Sequence, residues 1–307
     1  MVNAEGRSIP TITHSRKFRE VSANWTGKTG AEMLSVIIPA HNEAALIGQC
    51  IGAVLASRDI AAVDIIVVAN GCQDATVAIA IDCRAAVEAR GWQLQVLDLA
   101  SGGKLGALNA GDAAAQSGNR VYLDADVVVS ADLLAQLEQV LGQETAVYAS
   151  GKLQISPAQS GISRAYRRIY QRVPFMRVGV PGAGLFAVNA AGRARWQQWP
   201  DIISDDTFAR LMFAPHERIG VAATYQWPIV EGLPNLVAVR RRQNTGVVEI
   251  AQDFPELLQN DDTPKIGFAG ALKLALSDPL GFLAYAGVAV IVKVTKSQGG
   301  TDWRRGR

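Results

Sequence analysis

Residues 120–129 read RVYLDADVVV, and this stretch decides how the chain folds. An apolar run ends at Leu123, as expected of a buried strand, and Asp124 and Asp126 follow it one residue apart. Side chains two apart on an extended backbone point the same way, and a tight turn at the strand end also lets both reach one point. Two carboxylates at one point suit a hard cation such as Mg²⁺ or Mn²⁺. The alternative is a strand-end turn in which Asp only caps the backbone, and the motif alone leaves both open.

The composition describes a folded protein. The chain has 307 residues, of which 49% are hydrophobic and 19% charged, enough for one large or two modest domains. A net charge of +2 indicates no nucleic-acid partner. Three cysteines without CxxC spacing favour a reducing compartment, so we expect a cytoplasmic protein. The polar start has no apolar signal segment, and we expect residues 1–32 to be a flexible tail.

Apolar runs alternate with helical patterns in the first half of the chain. The runs are LSVIIP (34–39), VDIIVVA (63–69) and LQVLDL (94–99), and alanine-rich helical patterns occupy 44–57, 75–90 and 104–115. Continuously apolar strands alternating with helices predict a Rossmann-like, mostly parallel sheet with helices on both faces. Polar motifs come directly after the strands, at the edge where open α/β sheets bind ligands.

Two polar motifs follow the first two strands. PAHNE (39–43) offers an ordinary helix start, or polar groups and free amides that hold a nucleotide. In NGCQDAT (70–76), Asp74 reads as a structural helix-starting residue. Asn70 carries both a donor and an acceptor, which recognition of a pyrimidine edge requires.

Two further motifs are weaker when taken alone. SGGKLGALN (101–109) is a glycine turn opening a helix, and it lacks the P-loop pattern. Beside the Asp pair, Lys104 becomes a candidate contact for a diphosphate. Asp205 and Asp206 follow Ser204, so they are either acids favoured by a helix dipole or the source of a general base. Their position by itself favours the helix-dipole interpretation.

The second half carries uneven positive charge. Residues 164–177 hold five arginines and no acid, which is typical of a solvated helix face and also suits an anionic acceptor. Residues 279–292 are an apolar run, shorter than the roughly 20 residues that span a bilayer. Five basic residues lie in 293–307. The run is therefore either a buried core helix or a peripheral contact with anionic lipid on the cytoplasmic face of a membrane.

Four motifs stand in an order that resembles the family 2 inverting glycosyltransferases, which have the GT-A fold. They are VIIPAHNE (36–43), VVANGCQDAT (67–76), GKLGALNAG (103–111) and LDAD (123–126). The resemblance continues with GAGLF (182–186) and ISDDTF (203–208). It implies a GT-A domain over 33–250, with a nucleotide-sugar half (33–130) and an acceptor half (131–250), followed by a C-terminal helical extension (251–307).

The resemblance also implies roles for individual residues. The nucleotide-sugar site would contain Pro39, Ala40, Asn42, Glu43, Asn70, Lys104, Asn109, Asp124, Ala125 and Arg242. Gly182 and Gly184 would face the acceptor, Asp126 with Asp124 would bind Mn²⁺ or Mg²⁺, and Asp206 beside Asp205 would be the general base.

Three departures from the family pattern matter. Asn70 stands where Asp is common, Asp205 stands where Glu is common, and the Gln-x-x-Arg-Trp signature of processive synthases is absent. The resemblance therefore implies transfer of one sugar, with a UDP-sugar favoured as donor and a saccharide or lipid-linked saccharide as acceptor. The alternatives are a nucleotidyltransferase and a catalytically silent protein that binds a nucleotide-sugar.

Overall fold

The computed structural model describes residues 33–101 and 103–295. These residues form the strands β1 (Leu34–Ala40), β2 (Val63–Asn70), β3 (Gln93–Leu99), β4 (Arg120–Leu123), β5 (Val128–Val129), β6 (Tyr148–Ile155), β7 (Leu185–Val188) and β8 (Arg218–Trp227). They join in one sheet with the order β3-β2-β1-β4-β7-β6-β8-β5. The predicted tail (1–32), Gly102 and the basic end (296–307) lie outside the described residues.

The sheet is parallel in its first half and mixed in its second. β1 lies between β2 and β4, with Val36 opposite both Ile65 and Val121. The order then changes, because β7 pairs antiparallel with β4 and with β6, while β6 and β8 are parallel. The apolar runs thus predicted the parallel half correctly, and the antiparallel strand β7 gives the second half its mixed character.

The described residues also form twelve α-helices. They are α1 (Ile47–Leu55), α2 (Thr76–Asp82), α3 (Arg84–Ala89), α4 (Gly103–Ala114), α5 (Leu133–Leu141), α6 (Gly161–Tyr170), α7 (Pro174–Arg177), α8 (Ala190–Arg193), α9 (Asp205–Leu211), α10 (Leu233–Asp253), α11 (Phe268–Ser277) and α12 (Pro279–Val294). The single helix expected over 75–90 is two helices. Cys83 separates them, and its N–H bonds to the carbonyl of Ala80, three residues back, in a tighter turn than the α-helix.

Hydrophobic cores cover both faces of the parallel half. Val36 and Ile38 of β1 belong to one core, while Ile37 belongs to the other. Because successive side chains of a strand point to opposite faces, a strand buried on both faces must be apolar throughout. Helix α4 lies so close to the sheet that a Cβ on Gly111 would stand 2.4 Å from the Ile37 side chain.

The C-terminal helices build a third hydrophobic cluster. Gly281, Ala284 and Val288 of α12 are buried against α6 and α10. Another face of α12 is exposed, with Leu280 72% and Leu283 67% accessible to solvent. The run at 279–292 is therefore packed on one face and open on another. Across the described ranges, no helix has both the length and the apolar character needed to cross a membrane.

Candidate functional site

A lysine joins the two acidic motifs at the carboxyl edge of the sheet. Lys104 lies in the first turn of α4, Asp124 follows β4, and Asp205 begins α9. The Lys104 Nζ stands 3.0 Å from Asp124 Oδ1 and 3.0 Å from Asp205 Oδ2. Burial alone would lower the pKa of Lys104, but the charges of Asp124, Asp205 and Asp206 outweigh it and raise that pKa well above its usual value. The lysine is therefore a permanent cation in this site.

Asp206 differs chemically from its neighbour Asp205. Its Oδ1 accepts a hydrogen bond of 2.7 Å from the N–H of Thr207, and its side chain faces a cavity. Burial raises its pKa from 3.8 to about 6, the negative charge of Asp205 adds to the rise, and Lys104 opposes it. A carboxylate with this pKa is ionised at neutral pH and still has a raised proton affinity. That combination is what a general base needs.

The Asp124–Asp126 segment forms a turn between β4 and β5. The N–H of Asp124 donates to the carbonyl of Gly184 at 2.9 Å, and the N–H of Val127 donates back to the carbonyl of Asp124 at 3.0 Å. The turn buries Ala125 in the core, and Asp124 lines the cavity. Of the two backbone geometries left open by the sequence, the structure thus has the turn.

Both carboxylates of this motif lie near one buried thiol. Burial raises the pKa of the Cys50 thiol, and the negative charges of Asp126 and then Asp124 raise it further. Cys50 is therefore neutral and unsuited to act as a nucleophile or metal ligand.

The predicted nucleotide residues at the ends of β1 and β2 are joined by hydrogen bonds. His41 Nδ1 stands 2.5 Å from the carbonyl oxygen of Asn70, and Asn42 Oδ1 accepts from the N–H of Gln73 at 2.8 Å. Asn42 has a positive φ of 55°, which asparagine tolerates better than most residues. The backbone of buried Glu43 donates to Thr76 Oγ1 at 2.7 Å.

These residues occupy the same sheet edge as Lys104. Pro39, the residue before Ala40, lines the cavity itself. Ala40 is buried at the end of β1. Asp74, read from the sequence as structural, accepts from the N–H groups of Thr76 and Ala44 at 3.0 and 3.1 Å.

Asn109 does not line the cavity, whereas Lys104, predicted from the same motif, does. Its Oδ1 accepts from the N–H of Trp199 at 2.9 Å, and its Nδ2 donates to the Trp199 carbonyl at 3.4 Å. It thereby holds the segment that leads to Asp205. In the structure its side chain therefore binds the backbone of Trp199, and the donor contact expected for Asn109 stays a prediction.

Two glycines of the predicted acceptor loop have positive φ angles, and each touches an aromatic side chain. Gly182 has φ +67°, and a Cβ there would stand 1.8 Å from the hydroxyl of Tyr148. Gly184 has φ +74° and lines the cavity, and a Cβ there would stand 2.6 Å from Trp227. Only glycine fits either position without movement of an aromatic ring.

The cavity also has walls that the sequence did not reveal. It encloses about 410 Å³ between the carboxylates and the C-terminal helices, and Arg242 of α10 lines it. Arg210, Asp261 and Ile266 line it too. Only folding brings these residues together, since no motif distinguishes them.

An ion-pair network holds the 255–266 segment against the cavity. Arg210, 3% exposed, pairs with Asp262 and stands 3.4 Å from Asp261. Arg218, also buried, stands 2.7 Å from Asp262. Two buried guanidinium groups thus share one carboxylate, which ties this segment to α9 and β8.

The mixed sheet, with its acidic turn after β4 and its lysine at the carboxyl edge, places the chain in the GT-A class of α/β folds. Solved structures of S. aureus TarS share it. The fragment TarS 1–349 in complex with UDP-GlcNAc superimposes with a TM-score of 0.51 at 14% identity, covering 85% of this chain and 81% of that one. The complex with UDP gives 0.51 at 13% identity, covering 87% and 93%.

A longer TarS chain gives a TM-score of 0.50 at 16% identity over 71% of this chain, which spans 40% of that chain's length. No curated protein matches the sequence. The family model for glycosyl transferase family 2 matches residues 35–219, more than half of the chain. The protein belongs to this family.

Proposed function

We propose that the protein transfers one sugar from a nucleotide-sugar to a hydroxyl group of a saccharide or lipid-linked saccharide, with inversion at the anomeric carbon. The observation that carries the proposal is the arrangement around Lys104, which joins Asp124 to Asp205 beside Asp206 in one cavity. It supplies a cation for a diphosphate and a carboxylate of raised proton affinity for a hydroxyl. Polysaccharide or glycolipid biosynthesis would use such a product.

The donor site in this proposal lies in residues 33–130. Pro39, Ala40, Asn42, Glu43 and Asn70 supply polar and backbone groups at the ends of β1 and β2 for the nucleoside. A UDP-sugar is the first donor to test, since the TarS fragment with the same fold was solved with UDP and with UDP-GlcNAc. Arg242, at the cavity wall, adds a second cation for the diphosphate.

The carboxylates of Asp124 and Asp126 fit a divalent cation. Both offer the hard oxygen ligands that such a cation prefers. Among the described residues, no group of three or more acidic, histidine or cysteine side chains is arranged for a metal. Mg²⁺ commonly binds to one or two carboxylates, and phosphate and water then fill its remaining coordination positions. When bound, Mn²⁺ or Mg²⁺ would neutralise charge on the leaving diphosphate.

Asp206 acts as the base in the proposed reaction. It removes the proton from the acceptor hydroxyl, whose oxygen forms a bond to the anomeric carbon as the bond to the diphosphate oxygen breaks on the opposite face. The transition state resembles an oxocarbenium ion. Asp205 is held by Lys104 and is therefore the less available of the two carboxylates. Lys104 stabilises the negative charge that develops on the diphosphate.

The acceptor enters from the second half of the chain in this proposal. Gly184 lines the cavity, and the loop of Gly182 and Gly184 is the predicted acceptor side. Leu258, Ile266 and Tyr285 show that the cavity wall extends beyond residue 250, into the extension proposed for 251–307. A cytoplasmic location, in solution or at the cytoplasmic face of a membrane, remains part of the proposal, and the three cysteines are free thiols.

Calorimetric titration and a transfer assay test this function together. The chain is titrated with UDP, GDP and their sugar conjugates, with Mn²⁺ and with a chelator, and release of nucleotide is then measured with candidate acceptors. We expect metal-dependent binding of one nucleotide and turnover that Asp206→Asn lowers by about 10²–10⁴-fold. Asp201→Asn is the matched control, because Asp201 is an exposed carboxylate shortly before α9. Binding without turnover on any acceptor would instead identify a silent binder, and loss of both would refute the site.

A further inference from the structure

Helix α11 is apolar, and no other described part of the chain buries any of its residues. Its sequence is FAGALKLALS, and none of the residues Phe268–Ser277 is buried. Phe268 is 86% exposed and Leu276 is 75% exposed. These residues and Leu272 follow one another at intervals of four, so they form one ridge along the helix. Folded chains rarely leave a contiguous apolar surface of this kind in water unless it binds something.

Helix α12 extends this surface. The exposed Leu280, Leu283, Val290 and Val294 recur at helical spacing on one side, away from the buried contacts with α6 and α10. The two helices are in contact, and Asp278 alone separates them in the chain. We call the exposed apolar residues of α11 and α12 the outer face.

The stretch of chain that carries the outer face has more basic than acidic residues. Between Thr263 and Thr295 the basic residues are Lys265, Lys273 and Lys293, all of them exposed, and Asp278 is the acid. Asp278 is already neutralised by Arg168, whose Nε and Nη2 stand 2.5 and 3.0 Å from its carboxylate. The hydrogen bonds from Arg168 lower the pKa of Asp278 to about 2. The stretch 263–295 that carries the outer face therefore holds three exposed lysines, and its acid, Asp278, is paired with Arg168.

The exposed apolar residues and the lysines together indicate which kind of partner binds the outer face. A second copy of the chain would bring three more lysines to the same interface and no unpaired acid from 263–295. An anionic bilayer offers apolar chains to the leucines and phosphate groups to the lysines. Helices α11 and α12 have 10 and 16 residues, about 15 and 24 Å at 1.5 Å per residue, against a hydrocarbon core of about 30 Å. A helix of this length with one face packed on protein suits the surface of a bilayer.

The outer face is continuous with the wall of the catalytic cavity. Pro264 and Ile266, just before α11, and Tyr285 of α12 all line it. Ile266 is itself 39% exposed, so it lies between the cavity and the outer face. An acceptor held in a bilayer could therefore reach the cavity along an apolar path.

We propose that the outer face rests on an anionic membrane surface, and that the acceptor is an amphiphile whose apolar chain stays in the bilayer while its hydroxyl enters the cavity. The acceptor class rests on the proposed transfer function. The membrane contact does not, since it follows from the exposed helices and their lysines.

Flotation of the full chain with phosphatidylcholine vesicles, with and without phosphatidylglycerol, tests the contact. We expect the protein to float with the anionic vesicles and to detach in high salt. Phe268→Glu with Leu276→Glu should weaken vesicle binding by about tenfold or more for each side chain, since both residues are exposed and their loss leaves the core intact. Ile81→Glu, at an exposed apolar residue of α2, is the matched control and should float like the wild type.

A charge variant tests the lipid preference separately. Replacing the three lysines by Gln should reduce binding to anionic vesicles by about fivefold per lysine, on the order of 100-fold in all, and leave binding to neutral vesicles unchanged. Failure of the wild type to float on anionic vesicles would overturn the proposal. Flotation of the double Glu variant equal to that of the wild type would also overturn it. If the wild type sediments at twice the mass of the double Glu variant, the face binds a second copy of the chain instead.

Failure of this inference is distinguishable from failure of the proposed function. Nucleotide binding is measured in solution, without vesicles, on the same preparation. Flotation together with no nucleotide binding would remove the transferase site and support the membrane contact. Nucleotide binding and turnover without flotation would support the transferase site and overturn the membrane contact.

Discussion

Replacing Asp206 by Asn should change activity and stability in opposite directions. In the wild type, the pKa of Asp206 rises from 3.8 to about 6, chiefly through burial and then through the charge of Asp205. A rise of this size corresponds to roughly 3 kcal/mol in favour of the neutral form. Because the side chain also faces the cavity, we expect the neutral Asn to stabilise the fold at pH 7.5 by about 1–3 kcal/mol. For a chain of this size, that raises Tm by several degrees.

The sign of the pH dependence follows from the direction of this pKa. A carboxyl group with a raised pKa binds its proton more tightly in the folded state, so the wild type loses stability as pH rises from about 4 to about 6. The Asn variant has no such group. The difference in Tm between the two proteins should therefore grow over that interval and stay constant above it.

Activity should respond in the other direction. A positioned base contributes typically 10²–10⁴-fold, so turnover of Asp206→Asn should fall by about that factor. In the wild type, kcat/KM should rise with pH, reach half of its plateau near the Asp206 pKa of about 6, and level off roughly one pH unit above it. Thermal melts and transfer rates over pH 4–9 measure both effects, with Asp201→Asn as control. Turnover within about threefold of the wild type, or a lower Tm at pH 7.5, would refute the assignment.

The remaining predictions concern the cation, the acceptor loop and the metal. Lys104→Gln should move the rise of kcat/KM to higher pH, because Lys104 lowers the pKa of Asp206. The same variant should lower the free energy of unfolding by about 2 kcal/mol, because it loses a partly buried ion pair. An unchanged pH profile would contradict the first expectation. Gly184→Ala should lower the free energy of unfolding in denaturant by about 2 kcal/mol or more, because φ is +74° and an aromatic ring lies 2.6 Å from the new Cβ. Gly106→Ala is the control. Its new Cβ in α4 meets nothing within 4 Å, so this variant should be neutral or stabilising. Asp126→Asn should weaken Mn²⁺ binding in the presence of UDP by roughly tenfold or more in calorimetry, and equal affinity would remove Asp126 from the metal site.

Much of the donor side could be predicted because its signals are local. Each strand of the parallel half is a continuous apolar run, and each polar motif directly follows one, so their shared edge follows from topology rules. Asp124 and Lys104 were identified as candidates in this way, and the structure places them 3.0 Å apart. Asp205 and Asp206 were identified only through the resemblance, since by position they were ordinary first-turn acids.

Other parts of the site depend on contacts that have no local signal. Asn109 lies in the same motif as Lys104, yet a helix turns its side chain toward Trp199 and away from the cavity. Arg210 and Asp262 lie in unremarkable stretches and meet only because α9, β8 and the following segment pack together. The exposure of α11 could not be read from its composition, because the same apolar residues would suit a buried helix.

The sequence by itself determined the parallel α/β half and the identity of its polar edge, because strand burial and helix amphipathicity depend on the spacing of apolar residues within a few turns of chain. Only the tertiary structure decided that Lys104 contacts Asp205 as well as Asp124, and that the C-terminal helices complete the cavity. The physical reason is that these contacts join segments whose relative position is set by the long-range pairing of β7 with β4 and of β8 with β6. Such pairing is a property of the whole sheet, and no local pattern encodes it.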